Sequence, residues 1–503
     1  MGSAGLQTHL AAVTPFDSEP AGRTIRETRR ESHISAGRLR AGVTVIGLDD
    51  TDSRTRGMCS TYLASLVAAA VADAGGAVTR RLLVRLNPAV EHKTRGNAAL
   101  ALHTDLDAAR AFDLAADLIA RYAEVDDPRT SPGLVVADCA PEAVPPAVGA
   151  FARTAVRGFH TLDDALSLAA DAGFETRGWG AETAGGRPGR GRIGALAATG
   201  AWAAFGGEAG DWTYERISYR EFDRCGTPRE VDLDSLFAAA DAGYPAAWDT
   251  VDRATGEAVC VPNAPGPILH GIRGDDPEAV TAVADAVASE PVERTALFVT
   301  NQGTDAHLRD GALGSVRAGR AYRVTGEVVD PPETRRGGHV FLAVGDGDAR
   351  LECVAFAPTG RFRDRVRALR AGDRVTVCGE VGRRDASGSE DGDESEDGDA
   401  SDERAEREGA TGALKLEKFA VRSLERTERV VPSCPDCGRS MESAGRGQGY
   451  RCRDCGTSAD GKVDRPVERD LELGWYEVPP SARRHVAKPL VRGGFDAPTH
   501  PER

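Results

Sequence analysis

Two pairs of cysteines place the tightest constraint on what this chain can fold into. Cys434 and Cys437 form one CxxC pair, and Cys452 and Cys455 form a second pair after 14 intervening residues. A glycine follows each pair, which lets backbone amides turn toward the thiolates. Two such pairs surround one tetrahedral zinc ion and leave no position open for a substrate. The spacing therefore predicts a structural Zn²⁺ site, and the alternative is two hairpins with unligated cysteines.

Most of the formal charge of −15 is concentrated in one segment. Residues 385–408 hold 12 acidic and 2 basic side chains, and their net charge of −10 leaves −5 for the rest of the chain. Such a tract cannot bury enough apolar surface to fold, so we expect a solvated loop there. Because nucleic-acid binding depends on local basic surface, the total charge does not exclude an RNA partner.

Targeting signals are absent from the sequence pattern. No run of 18 or more apolar residues occurs, so no membrane span is predicted. Residues 1–42 lack the apolar region of a secretory signal and are predicted to be a disordered extension, or the product of a start codon assigned too early. The six cysteines outside the CxxC pairs are scattered, which is typical of thiols in a reducing compartment. We therefore expect a cytoplasmic protein without membrane association, and no stable protein partner is evident.

Apolar runs and turn signals predict an α/β segment followed by an α+β segment. For residues 43–200 they predict strands at 43–48, 82–86, 98–102 and 134–137, and helices at 61–74, 106–122 and 162–172. For residues 201–315 they predict strands at 214–219, 258–261 and 296–300, and a helix at 277–287.

Five short strands then predict an OB-fold β-barrel over residues 316–426. They are expected at 322–328, 340–344, 351–356, 374–381 and 414–421, with a helix at 362–370 between the third and fourth. The acidic tract at 385–408 falls between the last two strands, where a long loop is tolerated. Residues 427–503 contain the cysteine pairs and a basic tail.

The first predicted strand runs into an acidic turn that contains Asp49, Asp50 and Asp52. Clustered carboxylates are costly unless a cation or hydrogen bonds neutralise them. Mg²⁺ with a nucleoside triphosphate is a natural ligand for such a turn, because carboxylate and phosphate oxygens complete its coordination shell. The alternative is a solvated, hydrogen-bonded turn.

Two further turns could bind phosphate. Ser60 and Thr61 open the first predicted helix, where hydroxyls and free amides form either a phosphate site or an ordinary N-cap. Lys93, the first of only five lysines in the chain, begins the segment Lys-Thr-Arg-Gly-Asn, which is either a phosphate-binding turn or a solvated surface turn. No Walker A sequence (GxxxxGK followed by Ser or Thr) occurs, so ATP would have to use other loops.

Two segments carry weaker signals. The glycine-rich run at 185–194 is either a ligand-binding loop or a linker. The basic cluster of Arg483, Arg484, His485 and Lys488 is either a set of phosphate contacts or a solvated tail.

Taken in order from residue 43, the motifs of this chain resemble those of one family, the archaeal tRNA agmatidine synthetases. They are IGLDDTDS, GMCSTYL, RLNP, KTRGN, GRGRIGALAATG, TYERISYR, GPILHGIRG, TNQGTDAHL, GGHVFL, the two cysteine pairs and YEVPPSARRHVAKPL. The resemblance implies a multidomain α+β protein. Its expected parts are a kinase-like α/β domain (43–200), a ferredoxin-like α+β domain (201–315), an OB-fold β-barrel (316–426), and a C-terminal zinc ribbon with its tail (427–503).

The same resemblance implies a ligase that forms a C–N bond. Members of the family use ATP to phosphorylate the C2 oxygen of the wobble cytidine in the isoleucine tRNA with a CAU anticodon. The amine of agmatine then displaces the phosphate, and ATP ends as AMP and two phosphates. The product pairs with adenosine, so the tRNA reads AUA as isoleucine.

The resemblance also implies roles for individual residues. ATP and Mg²⁺ are expected at Asp49, Asp50 and Asp52, and the phosphates near Lys93, Arg95, Gly96 and Asn97. The family motif reads GMCTTY, and its first Thr becomes phosphorylated; Ser60 stands there in this chain, and Thr61 could take the role instead. The barrel and ribbon are expected to hold the tRNA, with Arg483, Arg484 and Lys488 as candidate contacts.

Two other functions remain open at this point. One is a non-catalytic nucleic-acid-binding protein of OB and zinc-ribbon type, and the other is an RNA-activated protein kinase. A pure binding protein has no need for carboxylates, a hydroxyl and a lysine on phosphate-binding turns, so Asp49, Asp50, Ser60 and Lys93 favour an enzyme.

Overall fold

The structure is a computed structural model that describes residues 44–91, 93, 96–180, 188–383 and 411–503. Four expectations lie outside these residues: the extension at 1–42, the acidic tract at 385–408, the Arg95 phosphate contact and positions 185–187 of the glycine-rich run. Among the helices that are described, none has the length and apolarity needed to cross a bilayer.

The first 300 residues contain seven α-helices and nine strands in the described ranges. In chain order these are β1 (Thr44–Asp49), α1 (Ser60–Asp73), β2 (Val78–Arg85), β3 (Ala98–Thr104), α2 (Ala108–Tyr122), β4 (Gly133–Ala137), α3 (Pro146–Arg157), α4 (Leu162–Asp171), β5 (Glu175–Gly178), α5 (Arg192–Ala204), β6 (Thr213–Arg220), α6 (Leu233–Gly243), β7 (Ala247–Trp248), β8 (Ile268–Gly274), α7 (Pro277–Ala286) and β9 (Val292–Thr300). The strands and helices predicted for residues 43–200 are all present within a few residues of their expected bounds.

One nine-stranded sheet runs through both of the expected amino-terminal domains, in the order β5-β4-β1-β3-β2-β9-β6-β8-β7. The strand β1 is antiparallel to both of its neighbours, β3 and β4. The two halves meet where β2 pairs in parallel with β9, at Leu82 with Val299 and Leu83 with Thr300. The domain boundary expected at residue 200 stays a prediction, and α5 continues across it.

Helices cover both faces of the β1 region of the sheet. Side chains of α1 and α2 pack against Ile46 and Leu48 of β1. Side chains of α3, α4 and α5 pack against Val45, which points to the opposite face because successive side chains alternate along a strand. The acidic turn therefore emerges from a strand that is buried on both faces, which fixes the position of Asp49.

The prediction of a strand at 258–261 is wrong. This segment forms a turn in which Val261 N donates to Ala258 O at 3.2 Å, and Cys260 is buried against the α6–α7 layer. The apolar residues there fill a core without forming the hydrogen bonds of a β-sheet, so the run of small apolar residues gave a misleading signal.

Helices α3, α5 and α6 and strands β5, β7 and β8 were not predicted from the sequence.

The predicted five-stranded barrel is confirmed. Its elements are β10 (Leu308–Asp310), β11 (Arg320–Thr334), β12 (Val340–Asp346), β13 (Ala349–Ala355), α8 (Phe362–Arg367), β14 (Arg374–Arg383) and β15 (Thr411–Ser423). The barrel closes because β11 pairs with both β12 and β14, and β15 pairs with both β13 and β14. Phe362 of α8 is fully buried in its core, beside Phe419 of β15.

The cysteine module is an insertion between β15 and a later strand of the same sheet. It contains β16 (Thr427–Val430), β17 (Glu442–Ser443), β18 (Tyr450–Arg451), β19 (Ser458–Ala459) and β20 (Val463–Pro466), followed by β21 (Gly474–Glu477) and β22 (Thr499–His500). The strands β16 and β20 pair as a stem, whereas β21 returns to pair with β15 of the barrel. The tail is therefore part of the barrel sheet rather than a free extension.

A buried carboxylate joins the sheet, the barrel and the tail. Asp305, on the loop after β9, accepts hydrogen bonds from Lys418 Nζ of β15 at 2.8 and 2.7 Å. It also accepts from the backbone amide of Lys488 in the tail at 2.6 Å and from Arg323 of β11 at 3.0 Å. The Lys418 side chain has no exposed surface. Because a buried charge is stable only when paired, Asp305 holds these three segments together.

We expect Asp305→Ala to lower the free energy of unfolding by about 3–5 kcal/mol, because the Lys418 ammonium would stay buried without its partner. The measurement is denaturant unfolding of the intact protein. The matched control is Asp464→Ala, which removes a carboxylate from a pair with Arg429 in which both side chains are about 70% exposed. That change should cost less than about 1 kcal/mol. Equal losses in the two variants would contradict the role of Asp305.

Candidate functional site

The acidic turn is held in one geometry by backbone and side-chain hydrogen bonds. Asp50 adopts a left-handed backbone with φ of 57°, and its amide donates to Asp49 Oδ1 at 2.7 Å. Its own Oδ2 accepts from Ser131 N and from Arg190 Nη2, each at 3.1 Å. A non-glycine residue in this backbone region is uncommon and is retained where the surroundings require it. The turn is thus a built site rather than a loose, solvated loop.

Helix α5 approaches this turn so closely that only glycine fits at the points of contact. A Cβ at Gly194 would overlap Asp49 Oδ2, and one at Gly191 would lie 2.8 Å from the carbonyl oxygen of Asp49. On the strand side, a Cβ at Gly47 would overlap the carbonyl of Ala195. The Asp49 carboxylate therefore lies against the first turn of α5, where the positive end of the helix dipole favours an anion.

The described part of the glycine-rich run, residues 188–194, thus belongs to the site and is not a linker. Ser131 Oγ accepts hydrogen bonds from the amides of Gly189 at 2.9 Å and Arg190 at 3.0 Å. Neither Ser131 nor Arg190 was identified from the sequence. The spacing of Gly191 and Gly194, three residues apart at the start of a helix, was the available signal for a close backbone approach.

Burial and mutual repulsion dominate the electrostatics of the turn. Burial, together with the neighbouring Asp50 and Asp52, raises the pKa of Asp49 well above its usual range. Burial raises the pKa of Asp50 to about 6, although the Arg190 guanidinium acts in the opposite direction. Carboxyls with raised pKa values gain free energy when a cation binds, because binding removes the cost of keeping them ionised.

The helix start brings Ser60, but not Thr61, to the acidic turn. Thr51 Oγ1 donates to Ser60 Oγ at 3.0 Å, and Thr51 is buried directly between Asp50 and Asp52. The Thr61 hydroxyl lies instead 3.1 Å from Cys59 Sγ. Both hydroxyl-bearing residues are more than 90% buried. The geometry therefore places the Ser60 oxygen against Thr51 of the acidic turn and the Thr61 oxygen against Cys59.

Lys93 and Asn97 lie beside the end of β2. Asn97 accepts from Leu86 N at 2.8 Å, and its side chain donates to Asn87 O at 2.8 Å. The Lys93 ammonium donates to the carbonyl oxygen of Pro88. Leu86 also touches Gly194, since a Cβ there would lie 3.1 Å from Leu86 Cδ1. Leu86, which follows β2, therefore contacts both Asn97 and the first turn of α5.

The basic tail packs into acidic surroundings instead of extending into solvent. Arg483 pairs with Asp249 at 2.8 Å and with Glu477 at 2.6 Å, and only 5% of its side chain is exposed. Arg484 pairs with Glu380 and Glu417 but keeps 37% of its side chain exposed. The expected tRNA contacts of Arg483, Arg484 and Lys488 stay predictions. Their first visible role is to fasten the tail to the sheet and the barrel.

The four cysteines of the CxxC pairs converge as their spacing predicts. Within the described ranges, Cys434, Cys437, Cys452 and Cys455 are the one set of three or more His, Cys, Asp or Glu side chains whose ligand atoms all lie within 4.8 Å. The sulfurs of Cys437 and Cys452 are 3.6 Å apart, close to the separation of about 3.8 Å expected for thiolates on one tetrahedral zinc ion. The donor set and its geometry fit a structural zinc site.

The aspartates of the turn do not form a comparable closed cluster among the described residues. Mg²⁺ needs no such cage, because proteins commonly hold it with one or two carboxylates and leave the remaining positions to phosphates and water. The turn therefore fits a metal ion that arrives with a nucleotide.

Gly194→Ala should destabilise the protein by roughly 1–3 kcal/mol, because the new methyl group overlaps the Asp49 carboxylate and forces α5 away from β1. Gly149→Ala is the matched control, since Gly149 also lies in a helix but its Cβ would meet its nearest neighbours at 3.8 Å. There the gain in helix propensity should leave the protein unchanged or up to about 1 kcal/mol more stable. Denaturant unfolding measures both, and a neutral Gly194→Ala would contradict the close approach.

Cys437→Ser should release zinc and open residues 434–459 while the barrel stays folded, because the ribbon core in this segment is separate from the barrel core. Bound zinc and protease cleavage within this segment are the two readouts. Cys225→Ser changes a thiol far from the CxxC pairs in the sequence and should leave both unchanged. Retention of zinc by Cys437→Ser would contradict the four-thiolate site.

Profiles of known families match most of this architecture. The TiaS TCKD domain matches residues 45–106, the TiaS FLD domain residues 189–307, and the TiaS C-terminal zinc ribbon domain residues 431–471. An OB-fold nucleic acid binding domain matches residues 318–394.

Curated relatives and solved structures agree with the profiles. The isoleucine-tRNA 2-agmatinylcytidine synthetase TiaS of Haloquadratum walsbyi is 52% identical, over 92% of this chain and all of its own. The protein of the same name from Methanosarcina acetivorans is 40% identical, over 89% of this chain and 97% of its own. A crystal structure of TiaS in complex with its isoleucine tRNA and ATP superposes with a TM-score of 0.76 at 37% identity, over 92% of this chain and 99% of its own.

A second crystal structure, of TiaS in complex with the same tRNA, AMPCPP and agmatine, superposes with a TM-score of 0.73 at 36% identity. It covers 92% of this chain and 99% of that protein. The similarity therefore extends over the sheet, the barrel and the ribbon alike. This chain belongs to the TiaS family of isoleucine-tRNA 2-agmatinylcytidine synthetases.

Proposed function

We propose that this chain is the ATP-dependent ligase that converts the wobble cytidine of the CAU-anticodon isoleucine tRNA to agmatidine. The proposal is carried by one observation: full-length relatives with this named activity align with a chain whose acidic turn, Ser60 hydroxyl and helix α5 form a single site. ATP, the tRNA and agmatine are its substrates, and its product pairs with adenosine to read AUA.

The reaction needs two events at C2 of the cytidine. Transfer of a phosphoryl group to the C2 oxygen turns that oxygen into a leaving group. The amine of agmatine then attacks C2, the C–N bond forms, and the C–O bond breaks as phosphate departs. Phosphoryl transfer depends on positioning and charge neutralisation more than on covalent help from the protein, which suits a rigid turn of carboxylates beside a helix end.

We assign Asp49, Asp50 and Asp52 to the metal that accompanies ATP. Mg²⁺ bound there would neutralise phosphate charge during the transfer. We assign Lys93, Arg95, Gly96 and Asn97 to the phosphates, because Leu86 contacts both Asn97 and the first turn of α5, which lies against Asp49. Zinc at the four cysteines is structural and takes no part in the chemistry.

We assign the phosphorylated hydroxyl of the protein to Ser60 rather than Thr61. Its oxygen accepts from Thr51, which is embedded in the acidic turn, whereas the Thr61 oxygen contacts Cys59. The barrel and ribbon present the surfaces for the tRNA. A groove of about 660 Å³ on the barrel is lined by residues of β12 and β13, the strands on which OB-folds bind nucleic acid.

To test the reaction, purified protein is incubated with ATP, Mg²⁺, agmatine and unmodified CAU-anticodon isoleucine tRNA. The tRNA is then digested to nucleosides, and their masses are measured by mass spectrometry. A cytidine heavier by agmatine less water is the expected product. Ser60→Ala should lower its rate of formation by a factor of roughly 10²–10⁴, the range seen when a group in direct proton or group transfer is lost. Thr61→Ala should keep most of the activity.

The reverse pattern, with Thr61→Ala inactive and Ser60→Ala active, would exchange the two hydroxyls in the assignment. No mass gain by the unmodified enzyme, with tight tRNA binding intact, would favour the non-catalytic binding protein. Phosphate left on the protein, with agmatine ignored, would favour the RNA-activated kinase.

A further inference from the structure

Arg190 is a cation that bonds directly to the acidic turn. Its Nη2 donates to Asp50 Oδ2 at 3.1 Å and to the carbonyl oxygen of Arg129 at 3.1 Å. Arg190 lowers the pKa of Asp49 as well as that of Asp50. Its positive charge therefore acts on these carboxylates in the same direction as the charge of a metal ion would.

The backbone of Arg190 is fixed independently of this ion pair. Its amide donates to Ser131 Oγ, and the next amide, that of Gly191, donates to Ser131 O at 2.8 Å. The chain then enters α5, a helix of 13 residues. The side chain can thus leave Asp50 without disturbing the contact between α5 and β1.

The guanidinium is also accessible, in contrast to the carboxylate that holds it. The Arg190 side chain is 29% exposed, whereas that of Asp50 is 11% exposed. Nη2 donates both of the hydrogen bonds that the guanidinium forms with described residues. A guanidinium carries five N–H donors in a planar fork that matches phosphate oxygens, so one end of the fork remains to meet a ligand.

We propose that Arg190 is a phosphate-binding residue of the ATP site, and that its side chain pairs with Asp50 until nucleotide and metal bind. This inference rests on the proposed function, because it places the triphosphate at the acidic turn. A metal ion and a guanidinium on one carboxylate repel each other, so Arg190 leaves Asp50 when the carboxylate turns to the metal. The freed guanidinium lies at the amino-terminal end of α5, where the positive end of the helix dipole also favours phosphate.

The test is a double-mutant cycle on unfolding free energy, with Asp50→Asn, Arg190→Gln and the double variant. Without nucleotide, the two side chains should be coupled by roughly 10-fold in the unfolding equilibrium constant, as residues in direct contact are. With Mg²⁺ and AMPCPP at a concentration that saturates each variant, the coupling should fall below about 2-fold, because the pair is no longer formed.

The matched control is the nearby pair of Arg56 and Asp126, whose side chains are 51% and 82% exposed and 3.2 Å apart. The coupling measured in its cycle, made with Arg56→Gln and Asp126→Asn, should be small and unaffected by nucleotide. A separate readout is binding of AMPCPP itself, which Arg190→Gln should weaken roughly 10–100-fold, whereas Arg56→Gln should leave it unchanged.

Three outcomes are decisive. Loss of the coupling on nucleotide addition, with weaker AMPCPP binding by Arg190→Gln, supports the exchange of partners. Coupling that persists in the loaded protein overturns it, and leaves Arg190 as a structural partner of Asp50 while the proposed function stands. Failure of the unmodified protein to bind AMPCPP at all would overturn the proposed function, and the inference with it.

Discussion

The close approach of helix α5 to strand β1 is the constraint on which the site depends. Glycines on both elements allow a helix backbone to lie against a strand backbone, with Gly47 on one side and Gly191 and Gly194 on the other. That contact places the Asp49 carboxylate at the helix end and brings the Ser131 and Arg190 segments against Asp50. Any larger side chain at these positions separates the acidic turn from the residues that set its charge.

The site also depends on connections far from it. The nine-stranded sheet is continuous through the short parallel contact of β2 with β9, so the two expected amino-terminal domains share one framework. Asp305, which follows β9, then binds the barrel through Lys418 and the tail through the Lys488 amide. The barrel, which we propose binds the tRNA, is in this way held in a defined position relative to the acidic turn.

The sequence allowed the architecture and the two strongest chemical signals to be predicted, and the reasons for its failures are physical. The acidic turn and the CxxC pairs are local patterns, so their residues could be identified directly. Arg190 and Ser131 matter through contacts with Asp50 across 140 and 81 positions of the chain, which no local pattern reports. The carboxylate partners of the tail arginines, such as Asp249 and Glu380, are also far away in sequence, so these ion pairs could not be predicted.

The paired stem of β16 and β20 gives the ribbon the topology of an insertion, with its entry and exit side by side. The strands β14 and β15 are likewise paired neighbours, although residues 384–410 stand between them in the sequence. The entropy of closing a loop grows only slowly with its length, so chain can be gained or lost at both places without altering the barrel. Homologous barrels are therefore free to diverge in size at these two connections over evolution, while the spacing from β1 to α5 stays subject to steric selection.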